Sequence, residues 1–283
     1  MTDLDSRKIL VGTLCSGENE FEECLSAIKK QTYTNIDHLI ISNLPQHEAH
    51  RKLYETFLEN KEKYELLIKV DADTVIYSDR LFENIVKRFE QNTWLNVMNI
   101  AVDDFFTGLS IPAGIQIYRN TVSFNFAKET AFPDIPEKTK DEYYYDKTEL
   151  APAAMHCKNP SKHQAFHYGV HRGIKSIQRI HSTSHWALLK SVWQNFRKTG
   201  DVRMGLAILG AELVYAGKFD KLDADYTNPK MSTLLAYYEP MNAKMIKFQI
   251  RKLRFLHWGY LPDNLRRQVI RNKRKIFFRD DYR

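Results

Sequence analysis

The first ninety residues alternate between short apolar runs and amphipathic stretches, and no other feature constrains the fold as much. Residues 8–14 (KILVGTL) form a β-branched, apolar run that meets turn-forming Ser16-Gly17, and residues 18–31 then take up helical periodicity. Residues 38–42 (HLIIS) predict a second buried strand, 46–63 a second amphipathic helix, and 65–70 (ELLIKV) a third strand that stops at Asp71. A third helix is expected over 79–91, with Ser78-Asp79 as its capping residues. Such alternation implies parallel strands joined by right-handed crossovers. In open sheets of this kind ligands bind beyond the carboxyl ends of the strands, so the loops after Leu14, Ser42 and Val70 should converge on one site.

From residue 95 the rhythm changes. Residues 96–102 (NVMNIAV) and 114–122 (GIQIYRNTV), with Gly108, Pro112 and Gly114 between them, suggest antiparallel additions to the sheet. The polar stretch 134–146 is expected to be a loop. Helices are expected at 160–178, 185–198 and 203–216, followed by one or two basic helices over 243–279, broken near 259–262.

Charge is unevenly spread. Of the 42 Lys and Arg, 13 lie in residues 244–283 against 3 Asp, which leaves 29 basic and 32 acidic side chains in the rest. A basic tail on a mildly acidic body points to an anionic surface as partner, either membrane headgroups or nucleic acid, and the acidic body argues against nucleic acid. In the tail the charges alternate with Met245, Ile246, Phe248, Ile250, Leu253, Phe255, Leu256 and Trp258, as a helix lying on an anionic surface requires. Packing of the same apolar residues onto the body, with the charges in water, is the competing reading. No run approaches the roughly 18 to 20 apolar residues that cross a bilayer, and the acidic start is unlike a secretory signal. The expected location is cytoplasmic, with peripheral attachment at the inner face of the membrane. Cys15, Cys24 and Cys157 form no Cys-x-x-Cys pair, so neither a disulfide framework nor a thiolate zinc site is expected.

Asp-x-Asp occurs three times, at Asp3, Asp71 and Asp223, where composition alone predicts about one. Only Asp71-Ala72-Asp73 stands at the exit of an apolar strand. Two carboxylates at i and i+2 can converge on one hard cation, Mn²⁺ or Mg²⁺, and leave positions open for diphosphate oxygens. The alternative is a strand-end turn with Asp71 as its cap.

Residues 8–45 (KILVGTLCSGENEFEECLSAIKKQTYTNIDHLIISNLP), followed by LLIKVDADTVI, resemble the first half of glycosyltransferase family two and its A-type fold. The helix ending in Gln31-Thr32-Tyr33, just ahead of the second strand, is the most telling piece. The resemblance covers residues 8–90 and implies a Rossmann-type α/β mixed sheet, mostly parallel and flanked by helices; the charge and apolar pattern of the chain adds a helical basic C-terminal region. It implies a catalytic domain over 1–243, with a nucleotide-binding half (1–95) and an acceptor-side half (96–243), ahead of the basic region 244–283. Its activity would be sugar transfer from a nucleotide-sugar donor, with a divalent metal, to a glycan or lipid-linked acceptor, by inversion, in cell-surface polysaccharide synthesis. By the same resemblance Thr13 and Ser16 fall where the family's first loop lines the nucleotide pocket, and Asn43 where an acidic residue usually approaches the base. Arg51 resembles in placement a basic residue that faces the nucleotide, though a solvated surface arginine fits equally. Asp71 and Asp73 take the metal and diphosphate.

Six of the ten histidines lie within residues 156–185. His163, His167 and His171 are spaced by four and share a helix face, and His181 and His185 repeat the spacing. Imidazoles there could ligate metal, bond sugar hydroxyls or neutralise phosphate; ordinary core and surface histidines are the alternative. Related metal-dependent transferases of this fold often complete the metal shell with a later histidine, and His156, closing an apolar run, is the first choice. Tyr143–Tyr145, Trp186 and Trp193 offer faces for stacking sugars or filling core. An inverting transfer needs a carboxylate base for the acceptor hydroxyl; Asp134, Asp104 and Glu137 are the candidates, with Asp103 beside them. The competing functions are a nucleotidyltransferase, or a non-enzymatic protein binding membrane or nucleic acid through its basic tail.

Overall fold

The computed structural model describes residues 8–124, 152–177, 182–220, 223, 225–258, 265, 268–270 and 272. The chain forms two compact units: Met1–Phe105 with Leu109–Asn159, and Phe106–Gly108 with Pro160–Arg283.

The first unit is a mixed α/β layer structure, in line with the fold class expected. In chain order it runs β1 (Ile9–Cys15), α1 (Phe21–Lys29), β2 (Ile36–Ser42), α2 (Gln46–Glu59), β3 (Leu66–Val70), β4 (Thr74–Ile76), α3 (Leu81–Gln91), β5 (Val97–Asp104), β6 (Ser110–Arg119) and β7 (Ala154–His156). Among the described residues the sheet has seven strands in the order β2-β1-β3-β6-β5-β7-β4. β1 pairs parallel with both β2 and β3, as the strand–helix alternation implies. β6 is antiparallel to β3 and to β5, as the change of pattern after residue 95 implies. β7 runs parallel to β5 and antiparallel to β4, so the balance of pairings is even rather than mostly parallel.

Helix α2 shows why the pattern folds this way. Its inward stripe Ala49, Leu53, Tyr54 and Phe57 packs with Leu10 of β1, Ile41 of β2, Leu67 of β3, Val97 of β5 and Tyr118 of β6. Tyr54 stacks on Phe124 with centroids 4.1 Å apart. Helix boundaries differ from the periodicity where side chains intervene. α1 begins at Phe21 rather than 18, because the Glu18 carboxylate accepts from the Ser16 amide at 2.7 Å and holds residues 16–18 in a turn. α2 ends at Glu59, where Asn60 and Lys63 close successive turns. α3 is not capped by Ser78-Asp79 in the ordinary way; Arg80 takes the cap position without a side-chain bond. Gln31 supplies the missing acceptor from a distance, its Oε1 taking the Phe82 amide at 3.0 Å while its Nε2 donates to the Ser78 carbonyl at 2.8 Å. The Gln-Thr-Tyr piece therefore has a local physical task, locking the end of α1 to the start of α3.

The second unit is helical: α4 (Lys162–Ile177), α5 (Ser182–Thr199), α6 (Val202–Tyr215), α7 (Pro229–Tyr238) and α8 (Ala243–Trp258). α6 is buried from Met204 to Tyr215 and forms its centre. α4 crosses it at glycine contacts: a Cβ on Gly169 would lie 1.7 Å from the Ala207 carbonyl oxygen, so only glycine permits the approach. α8 docks through Ile246 and Ile250, both fully buried, and through Arg254, which donates to Glu212 at 2.8 Å. α7 is not foreseen by the periodicity. Its start is nonetheless written in the sequence, with Asn228 capping the Lys230 amide at 2.9 Å and Pro229 in the first turn.

Candidate metal centre

The exit of β3 is a tight turn. The Asp71 amide donates to the Gly114 carbonyl of β6 at 2.8 Å, the Thr74 amide donates back to the Asp71 carbonyl at 2.9 Å, and β4 starts at once. Gly114 is at φ +74°, and a Cβ there would meet Thr74 Oγ1 at 2.3 Å, so this crossing needs glycine. Strand register then assembles the site. Thr74 of β4 pairs with His156 of β7, and His156 pairs on its other side with Asp104 of β5. The register sets His156 between Asp104 on one side and Thr74 on the other, next to Asp73 in the turn before β4.

Its Nδ1 lies 2.7 Å from Asp104 Oδ1 and its Nε2 lies 3.4 Å from Asp73 Oδ2. Cys157, the next residue, donates its thiol to Asp73 Oδ2 at 3.2 Å and its amide to the Asp73 carbonyl at 2.8 Å. The Asp104 side chain is wholly buried, His156 is buried, and Asp73 keeps a partly exposed side chain at 21%. Asp73, His156 and Cys157 thus bring an oxygen, a nitrogen and a sulfur within 4.8 Å of one another.

Burial opposes charge on Asp73, but the His156 cation, with bonds from His156, Cys157 and Thr74, holds its carboxyl well below the ordinary range. Burial likewise opposes an imidazolium, yet Cys157, Asp73 and Asp104 raise His156 well above its usual value. Burial and then the Asp73 charge push the Cys157 thiol well up. Carboxylate and imidazole are the donors that Mn²⁺ accepts, and the second-ring-nitrogen bond to a buried carboxylate is the usual way a metal-binding histidine is oriented. The donor set fits a divalent cation held by Asp73 and His156.

The other sequence candidates divide clearly. Asp71 is near the cluster but its carboxylate is paired with Lys69 Nζ at 2.5 Å, and Lys69 is only 3% exposed, so the neighbouring charge is locally balanced. Thr13 is fully buried within β1 and bonded to His38 Nε2 at 2.9 Å. Ser16 lies in the turn after β1, and Asn43 follows β2 at φ +58°, its amide donating to the Cys15 carbonyl at 3.0 Å. The loops after β1 and β2 are thereby tied together. Arg51 is an exposed residue of α2, 3.4 Å from Glu55. Asp103 accepts from Tyr77 and Ser110. Asp134, Glu137, Tyr143–Tyr145 and His181 lie outside the described residues.

Two residues near the cluster had no signal in the sequence. Glu18 has its carboxyl raised by burial and, less strongly, by Asp73. Cys24, whose thiol is pushed up to about 12 by burial and then by Asp73 and Asp71, points at the Asp71 carbonyl from 3.7 Å. All three cysteines are free and buried. For Cys157 the only hint was adjacency to His156, because cysteine spacing carries no information when the partners are not cysteines.

In the second unit His163, His167 and His171 do share one face of α4. His167 and His171 stack with centroids 5.6 Å apart, and His163 and His167 both meet the Tyr226 ring edge-on. Trp186 and Trp193 pack against Tyr215 and Phe196.

No protein-family model matches the sequence, and no curated protein matches it. Among solved structures the chain is similar to A197 from STIV, at 15% identity and a TM-score of 0.31, over 40% of this chain and 64% of that one. It is similar to a glycosyltransferase involved in the glycosylation of the major capsid of PBCV-1, at 9% and 0.29, over 39% and 60%. The chain thus spans less than two thirds of the length of these two. It is also similar to the mannosyltransferase PcManGT from Pyrobaculum calidifontis, in complex with GDP-Man and Mn²⁺, at 12% and 0.40, over 94% and 87%. At these TM-scores and identities the likeness assigns no activity to this chain. No helix among the described residues is long and apolar enough to cross a membrane.

Proposed function

We propose that the chain is a nucleotide-sugar-dependent glycosyltransferase of the A-type fold, with its divalent cation on Asp73 and His156. One observation carries this reading: a carboxylate from the β3 exit and a histidine oriented by a buried carboxylate meet beyond the strand ends, where such sheets bind ligands. A cation held there would offset the negative charge that builds on a departing nucleoside diphosphate.

The chain's own residues take the following parts. Asp73 binds the cation, and Asp104 fixes which His156 nitrogen faces it, a positioning role that replaces the base role considered from sequence alone. Lys69 balances Asp71 and leaves the second aspartate as the principal ligand. The tied loops carrying Ser16 and Asn43 face the nucleotide, with Thr13 supporting them from β1. The acceptor base for an inverting transfer is then Asp134 or Glu137. The nucleotide-binding half, 1–95, and the acceptor half, 96–243, keep the division implied by the family resemblance.

For the acceptor, a glycan or lipid-linked saccharide in cell-surface polysaccharide synthesis, α8 gives support. Met245, Phe248, Phe255 and Leu256 are each about half exposed or more on a helix that also exposes Lys244, Arg251 and Lys252. An apolar face with basic flanks suits peripheral attachment to an anionic membrane.

The test is release of nucleoside diphosphate from a panel of nucleotide sugars in the presence of Mn²⁺ or Mg²⁺. Cation-dependent release that disappears in Asp73→Ala is expected; equal release by wild type and variant removes the site assignment.

A further inference from the structure

Cys157 is the feature that a cation on Asp73 and His156 alone leaves unexplained. It follows β7 directly, and its backbone stands at φ +53°, a left-handed conformation that a residue with a side chain rarely adopts. The Asp73 carbonyl anchors it there through the Cys157 amide at 2.8 Å. The consequence is that the thiol points at the two donors rather than away from them.

The spacing of the three donor atoms carries the argument. Oδ2 of Asp73 and Nε2 of His156 are 3.4 Å apart, Oδ2 and Sγ of Cys157 3.2 Å, and Nε2 and Sγ 3.7 Å. Ordinary bonds to a tetrahedral zinc, about 2.0 Å to oxygen and nitrogen and about 2.3 Å to sulfur, require donor separations of about 3.3 Å between oxygen and nitrogen and about 3.5 Å to the sulfur. The three atoms already form the triangular face of such a site to within a few tenths of an ångström. Asp104 behind His156 supplies the usual outer partner, and Asp73 keeps a partly exposed side chain.

We propose that Cys157 is a thiolate ligand of the same cation, so that the centre takes a borderline transition metal of the Zn²⁺ or Co²⁺ kind in preference to Mg²⁺. This rests on the reading of Asp73 and His156 as a cation site. On binding, bonds form from the metal to the carboxylate oxygen, the imidazole nitrogen and the sulfur, and the S–H and Nε2–H protons pass to solvent. Thiolate donation favours zinc and cobalt and gives nothing to magnesium, which prefers oxygen.

The experiment is a Co²⁺ titration of the reduced, metal-free full chain, followed by its visible and near-ultraviolet absorption. Wild type should develop a sulfur-to-cobalt charge-transfer band with one equivalent bound. Cys157→Ser should lose that band, and Cys24→Ser should keep it. X-ray absorption of the zinc-loaded wild type gives a reading independent of any variant's folding, with one sulfur expected at about 2.3 Å. Co²⁺ binding that Asp73→Ala abolishes, without a charge-transfer band or a zinc–sulfur distance, overturns the thiolate ligand and leaves the cation site standing. Absence of binding by Co²⁺, Zn²⁺ and Mn²⁺ alike removes both.

Discussion

Two stretches of this chain read Asp-Ala-Asp, and they do entirely different things. At residues 71–73 the triplet leaves a fully buried strand. There the Asp73 carboxylate meets His156 and Cys157, which β7 delivers by register. At residues 223–225 the first aspartate lies between α6 and α7 and is taken up locally. It accepts from Lys230 Nζ at 2.7 Å, from the Asp220 amide at 2.9 Å and from Asn228 at 3.3 Å. The second use is a loop tie. The string itself carries little chemistry and its place carries most of it, because the exit of β3 sets Asp73 beside His156 and Cys157 from a distant part of the chain.

The largest effect that could break this contrast is on cation binding. Asp73→Ala should abolish binding of one equivalent of Zn²⁺ or Mn²⁺ in calorimetry, whereas Asp223→Ala should bind as wild type does. Next, Asp104→Asn should weaken that binding by roughly 10- to 100-fold, since an outer partner that fixes the histidine is worth about that much. Comparable loss in the Asp223 variant would erase the distinction between the two triplets. Gly114→Ala should cost about 1–3 kcal/mol in denaturant unfolding, because the residue must hold φ +74° against Thr74 where the first triplet turns. The smallest effect belongs to the second triplet. Asp223→Ala should lower stability by about 1–2 kcal/mol, since it loses a pair with a half-exposed lysine together with the bonds from the Asp220 amide and Asn228.

The same contrast explains what the sequence could and could not reveal. β1, β2 and β3 were legible because each is a run of five or more mostly apolar residues beside an amphipathic helix, and that alone put Asp71 and Asp73 at a strand exit. β4 and β7 were not legible, since three residues are too few to establish a period of two. Those two short strands are what bring His156 and Cys157 to Asp73, so the cluster's geometry is hidden in the sequence even where the end of an apolar run points to His156. Asp104 looked like a free strand-end carboxylate, and only the β5–β7 register reveals that it is committed to His156. The division of labour between Asp71 and Asp73 was hidden for a similar reason. Lys69 sits on the strand two residues before Asp71, and nothing in the pattern says that its ammonium turns toward the turn rather than into solvent.

The most direct measurement of the whole account is nucleoside diphosphate release from a panel of nucleotide sugars, with Mn²⁺, Mg²⁺ and Zn²⁺ compared, in wild type, Asp73→Ala and Asp223→Ala. Release should need a cation, fall by roughly a hundredfold or more in Asp73→Ala, and be unchanged in Asp223→Ala. Release at the wild-type rate in Asp73→Ala, or none from any donor with any of the three cations, would contradict a glycosyltransferase with its cation on Asp73.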